Sequence, residues 1–275
     1  SLNNASADSN TAIGTVAGAA ITTASNNTLI GQSAGTALIG GSSNVHVGFN
    51  AADAMTDGAS NVAIGQDAIG VSTSVANSVA IGRGAMSQDN VTTGANGTVA
   101  IGYAALQALT SGAANLAFGY NAMAENTTGD RNIAIGYEAM DKTGAANALD
   151  ADDNIFIGYQ AGSGTWATTK SIANIGIGNY CMDAALGTGG PAENNTAVGH
   201  DTLSALTSGD QNTCIGMGSG TAILAGSDNT CIGANAGSAI QDGNNNTVVG
   251  RAAGNAITSG GNNVIVGYNV DMASD

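Results

Sequence analysis

Fifteen times along the chain a polar residue, Asn in thirteen cases, is followed by two strand-forming residues, then Ile, Val or Phe, and then Gly. The glycines run from Gly14, Gly31 and Gly48 to Gly250 and Gly267; ten of the fourteen intervals are 17 residues, and the others are 20, 22, 20 and 21. A fixed period of this length marks a stacked repeat, each unit too small to bury its own apolar face. The extra residues never fall inside the strand marker, so the marker is the stacked core and the loops absorb insertions.

With the Asn as first position, the unit reads approximately Asn-Thr-Ala-Ile-Gly-Tyr-x-Ala-Gly-x-Ala-Ile-Thr-Ser-Gly-x-Asn. The second position is always Thr, Val, Ile or Leu, the fourth is always Ile, Val or Phe, and the third is most often Ala. β-Branched residues two apart share one face of a strand. The pattern predicts that positions two and four line an apolar interior, while the small third residue faces outward against a close neighbour. The Gly after the strand permits a sharp turn. A second short segment should follow, anchored by residues such as Leu38, Leu109, Leu206 and Ile257, with turns such as Thr110-Ser111-Gly112 closing the coil. The expectation is two short strands and two turns per coil, no helix, and parallel sheets. At about 4.8 Å per coil, the coils would form a rod of roughly 70 Å. The recurring Asn, from Asn10 to Asn263, can form a side-chain ladder along it.

Composition agrees with thin stacked coils: 42 glycines and one proline among 275 residues, 43% hydrophobic and only 9% charged. Disorder would need the reverse balance, and collagen a Gly at every third residue with abundant Pro. The whole sequence, 1–275, reads as one all-β domain: a parallel β-solenoid of about fifteen 17-residue coils over 10–267, with short segments at 1–9 and 268–275. The net charge of −15 comes with five scattered bases, Arg83, Arg131, Lys142, Lys170 and Arg251. Nucleic-acid binding needs clustered cations, so it is excluded as an expectation, as is attraction to an anionic membrane. No apolar stretch approaches spanning length. Cys181, Cys214 and Cys231 form neither a disulfide framework nor a CxxC pattern.

Asn61-Val62-Ala63-Ile64-Gly65, Asn77-Ser78-Val79-Ala80-Ile81-Gly82 and Asn132-Ile133-Ala134-Ile135-Gly136 resemble the head repeats of trimeric autotransporter adhesins of the YadA type. The longer unit, as in Gly199-His200-Asp201-Thr202-Leu203-Ser204-Ala205-Leu206-Thr207-Ser208-Gly209, resembles the 17-residue variant of phage tail fibres. The likeness covers nearly all of 10–267. It implies a left-handed parallel β-roll, three chains around one axis, and a role in attachment or as an extended surface structure. The sequence departs from both patterns in lacking a heptad stalk, an anchor and a self-cleaving chaperone domain.

Candidate chemistry is sparse. Tyr103, Tyr120, Tyr137 and Tyr159 hold the sixth position in four successive coils and would stack into an aromatic strip, either a sugar- or protein-binding face or a structural ladder. Three insertions in consecutive coils, within 142–153, 162–172 and 184–194, carry Trp166, Lys170 and Pro191. Longer loops on a rigid scaffold suit recognition, or are simply tolerated there. Asp150, Asp152 and Asp153 offer hard oxygen ligands that would suit Ca²⁺, although the loop lacks the EF-hand Gly and distal Glu and reads equally as a solvated acidic turn. His46 and His200 lie too many coils apart to pair, and no Ser–His–Asp arrangement is suggested.

These features predict a non-enzymatic, extracellular, cell-surface or virion-associated homotrimer, a spacer that presents loops to a surface receptor or glycan. The alternative is a filament subunit with no specific receptor. An ice-binding solenoid would need an outward Thr array, whereas Thr196, Thr213, Thr230 and Thr247 sit at the second position, predicted to face inward. Neither short terminal segment reads as an adequate cap for its end coil, so end-to-end stacking is also expected.

Overall fold

The computed structural model describes residues 8–88, 91–143, 151–166, 171–184 and 186–271. The chain is all-β; among the described residues there are fifteen three-residue strands, one per coil, and a single 3₁₀ turn at Thr93–Ala95. It divides into two compact units, Ser1–Asn132 and Ile133–Asp275. The first holds β1 (Thr11–Ile13), β2 (Thr28–Ile30), β3 (Val45–Val47), β4 (Val62–Ile64), β5 (Val79–Ile81), β6 (Val99–Ile101) and β7 (Leu116–Phe118). The second holds β8 (Ile133–Ile135), β9 (Ile155–Ile157), β10 (Ile175–Ile177), β11 (Thr196–Val198), β12 (Thr213–Ile215), β13 (Thr230–Ile232), β14 (Thr247–Val249) and β15 (Val264–Val266). Within each unit every strand pairs in parallel with the strand of the next coil, and like positions of the repeat stand opposite one another, as in Val62↔Val79 and Thr213↔Thr230. This is the β-solenoid that the repeat predicts.

The faces are the reverse of the expectation. The third position is the inward one: Ala63, Ala80, Phe156, Cys214 and Cys231 are fully buried. The second and fourth positions point outward and stay half-exposed or exposed. The cause is the thinness of the coil, whose opposite wall is Gly and Ala. A Cβ built on Gly237 would lie 2.6 Å from the Cys231 sulfur, and one on Gly35 3.0 Å from Nδ1 of His46. The third residue is therefore small because it meets the far wall of its own coil and of the coil beside it. A neighbouring chain is not what limits it. Where it is large, its neighbours shrink: Phe156 of β9 stands opposite Gly176 of β10, where a Cβ would come within 2.5 Å of the phenyl ring.

The second segment is not a strand either. Alternate residues there take left-handed backbone angles, for example Ala104 (φ 52°) and Leu106 (φ 49°), so no extended ladder forms. It is still tied coil to coil by backbone hydrogen bonds, such as Ala104 N–H to Arg83 O at 3.0 Å and Leu106 N–H to Ala122 O at 3.0 Å. Its apolar anchors Leu38, Leu109, Leu206 and Ile257 are buried, as the pattern predicts. The Gly that ends each strand does need its freedom: Gly65 has φ +132°, and a Cβ there would sit 2.6 Å from Gly82 O.

The Asn ladder is present in both units. In the second unit Asn174, Asn195, Asn212, Asn229, Asn246 and Asn263 each donate a side-chain N–H to the Oδ1 of the preceding Asn, at 2.8–3.1 Å. The same Oδ1 also accepts the next backbone N–H, as from Asn246 N to Asn229 Oδ1 at 3.0 Å. The remaining side-chain N–H reaches a turn carbonyl, as from Asn229 to Gly243 O at 2.8 Å. Each amide thus closes its own coil and locks the register of the next one.

Candidate functional site

The reversal of faces puts two parallel rows of large side chains on the outside of each unit. In the fourth-position row, Ile30, Ile64, Phe118, Ile177, Ile215 and Ile232 are among the exposed large hydrophobics of the chain. The second-position row beside it is Thr in β1 and β2, Val or Leu in β3–β7, Ile in β8–β10, Thr in β11–β14 and Val in β15. Thr196, Thr213, Thr230 and Thr247 are therefore an outward, in-register row, and the inward placement expected of them is wrong. Contiguous apolar faces of this kind mark interaction surfaces.

The sixth-position tyrosines stand on the surface just past the strand Gly. Tyr103 and Tyr120 stack at 5.0 Å with an interplanar angle of 10°, and Tyr137 and Tyr159 stack at 5.1 Å and 7°. All four are exposed, at 40–44%. In the second unit the series continues through Tyr180, edge-on to Tyr159 at 5.3 Å, to His200, edge-on to Tyr180 at 5.6 Å. His200 Nδ1 lies 2.8 Å from Oδ2 of Asp201. The sequence reading missed this extension because Tyr180 sits one position later in its coil.

The insertions behave less uniformly. Trp166 is buried: its indole N–H donates to Gly162 O at 2.9 Å and its ring packs edge-on against Phe156 at 5.8 Å. It is a plug in the widened coil and does not serve as a displayed anchor. A large apolar residue in a loop more readily finds the core than the solvent. Pro191 is exposed. Lys170 and Asp150 lie outside the described residues. Asp152 is half-buried and Asp153 exposed, and among the described residues no group of three His, Cys, Asp or Glu side chains is close enough to hold a metal.

One histidine and three cysteines are buried in the core. His46, at the third position of β3, is fully buried with neither ring nitrogen hydrogen-bonded, and burial lowers its pKa to about 4. Cys214 and Cys231 stand opposite each other in β12 and β13 as free thiols. The Cys214 pKa is raised, first by its hydrogen bond with Cys231 and then by burial, and burial pushes Cys181 up to about 12. Neither setting activates a nucleophile.

No protein-family model, curated protein or solved structure matches this chain. The likeness to adhesin heads and phage fibres stands on the repeat residues that carry it.

Proposed function

We propose that the chain is a β-roll that associates with copies of itself, as a homotrimer, through the outward strand face and serves as a rigid attachment or spacer element rather than as a catalyst. The observation that supports this is, within each unit, the fourth-position row of half-exposed to exposed Ile, Val and Phe beside a largely aliphatic second row. A sheet face this apolar is costly in water and gains about 25 cal/mol for each Å² covered. The repeat's resemblance to trimeric heads supplies the number three and an extracellular, cell-surface or virion setting. Light scattering at micromolar concentration should give three times the chain mass, and the substitutions Ile64→Lys and Ile215→Lys together should reduce it to one. A monomeric wild-type protein would overturn the reading.

One observation favours a second reading. The Thr row of β11–β14 faces outward, the direction an ice-binding face requires. The aliphatic rows of β3–β10 speak for a protein interface. Thermal hysteresis in the wild type, lost in Thr213→Lys, would decide for ice. The filament alternative shares the interface but needs no ligand, and the sugar test below separates the two.

A further inference from the structure

Just off the tyrosine strip of the first unit, Asp67, Arg83, Gly84, Ser87, Tyr103, Ala104 and Gln107 enclose a surface cavity of about 120 Å³. We infer that it is a binding subsite for one edge of a neutral pyranose. Three observations carry this, and it rests on the attachment reading only for its biological use.

The polar atoms are mixed in kind, and those of three side chains are unspent. Arg83 and Gln107 offer donors, Asp67 offers acceptors, and Ser87 offers both. Among the described residues the side chains of Arg83, Ser87 and Gln107 make no hydrogen bond within the protein. Ser87 Oγ and Gln107 Nε2 converge above Gly84, where a Cβ would lie 3.4 Å and 3.8 Å from them. Asp67 is fixed in place, with Oδ1 accepting from Asn50 at 3.2 Å and Oδ2 from Gln66 at 3.0 Å. A hydroxyl is the ligand group that both donates and accepts, and adjacent hydroxyls on a ring match alternating partners. Tyr103 adds an aromatic wall for the ring's C–H face.

Arg83 is also held open. Its guanidinium stands 5.9 Å from the Tyr103 ring centroid, at the edge of cation–π range. The same Arg-then-Tyr pairing recurs in the last two coils, where Arg251 lies 5.6 Å from the Tyr268 ring and donates to its hydroxyl at 3.2 Å. The donors of Arg83 have no such partner.

Charge decides the ligand class. Asp67 lines the same cavity as Arg83, and the chain carries a net charge of −15. At short range Asp67 offsets the pull of Arg83 on a carboxylate or phosphate, and at long range the net charge of the chain repels it, whereas a neutral sugar meets no repulsion. The volume, well below the roughly 300 Å³ of a drug-sized pocket, admits one ring edge and leaves the rest of a glycan on the tyrosine strip.

The test is saturation-transfer NMR on the full chain with methyl glucoside, galactoside and mannoside, and with tri-galacturonate as the anionic probe. At least one neutral pyranoside should show transfer. Arg83→Gln should weaken it about tenfold or more, since a hydrogen bond to a charged group is worth that much, and Tyr103→Ala, which removes the aromatic wall, should weaken it as well. Tyr137→Ala, in the other unit, should not change it. Unchanged thermal melting would show that each variant folds. Silence from all three pyranosides, equal or stronger transfer to tri-galacturonate, or binding indifferent to Arg83→Gln would overturn the inference. Because sugar binding and oligomer mass are read separately, a failed sugar test leaves the trimer standing, and the reverse.

Discussion

Replacing His46 by Leu should remove a pH dependence from the stability of this solenoid without weakening it at pH 7. In β3 the imidazole lies inside the coil with Leu29 and Ala63 at the same position in the coils on either side, and both its nitrogens lack partners. Its folded pKa is lowered to about 4 by burial, against an ordinary 6.5. Between those values the unfolded chain binds a proton that the folded chain refuses, so stability rises with pH across this window. The contribution is fully present above 6.5 and is lost as the pH falls towards 4. At 1.36 kcal/mol per pH unit, the difference is worth about 3 kcal/mol. Asp53 and Asp183 work the other way, since burial raises their pKa values and folding then favours the proton, but they are common to both proteins. Leu is close in volume and already fills this position in β2. Removing two unsatisfied buried nitrogens offsets any misfit, because each costs about 1–3 kcal/mol. The assay is urea denaturation of wild type and His46→Leu from pH 4.5 to 7.5, with hydrogen exchange of the β2–β4 amides as the local readout, since solenoids open coil by coil. The wild type should lose stability on acidification and the variant much less. Parallel pH profiles for the two proteins, or a wild type that gains stability between pH 6.5 and 4.5, would refute the argument.

Other outcomes follow from the core. Asn229→Ala breaks the ladder at a fully buried link and strands Gly243 O and the Asn246 N–H groups, while Asn212 Oδ1 keeps only the backbone N–H of residue 229; calorimetry should show a loss of about 3–5 kcal/mol. The converse is the pair Ser78→Asn and Thr98→Asn, where the present contacts of Thr98 are long, 3.4 Å to Gly112 O and from Asn115 N; restoring the amides should gain about 1 kcal/mol. Phe156→Ala should cost about 3–5 kcal/mol and Gly176→Ala should be comparably harmful, yet the double substitution, which recreates the Ala–Ala stack of β4 and β5, should be markedly less harmful than their sum in a double-mutant cycle. All three thiols should resist a thiol reagent in the native protein and react after denaturation; rapid native labelling would contradict their burial.

The period was legible in the sequence, and with it the parallel pairing, the register and the Asn ladder, because each depends only on identical residues recurring at a fixed interval. The direction of the strand faces was not. Alternation places residues two and four together and residue three apart from them, but it does not say which face is inside. In an ordinary sheet the β-branched face is the buried one, and that preference favoured the wrong choice here. The missing term is the width of the coil, which one unit conceals and a comparison of units shows. Phe156 occurs where the next coil has Gly176, and His46 and Leu29 occur where Gly35 stands across the coil. Bulk at the third position matched by glycine elsewhere means a shared, enclosed space, whereas the second and fourth positions vary among Thr, Val, Ile, Leu and Phe with no such compensation. The same logic separates the aromatics. Trp166 came with an insertion and a neighbouring Phe, which make room inside, while the tyrosines recur at a fixed place beside the turn with nothing to enclose them. The cavity at Arg83 escaped the sequence because its parts, Asp67, Arg83, Ser87, Tyr103 and Gln107, come from three successive coils, one of which is three residues longer than the repeat. In a solenoid the chemistry that matters is written down the stack, one residue per coil, and it becomes visible only once the register between coils is known.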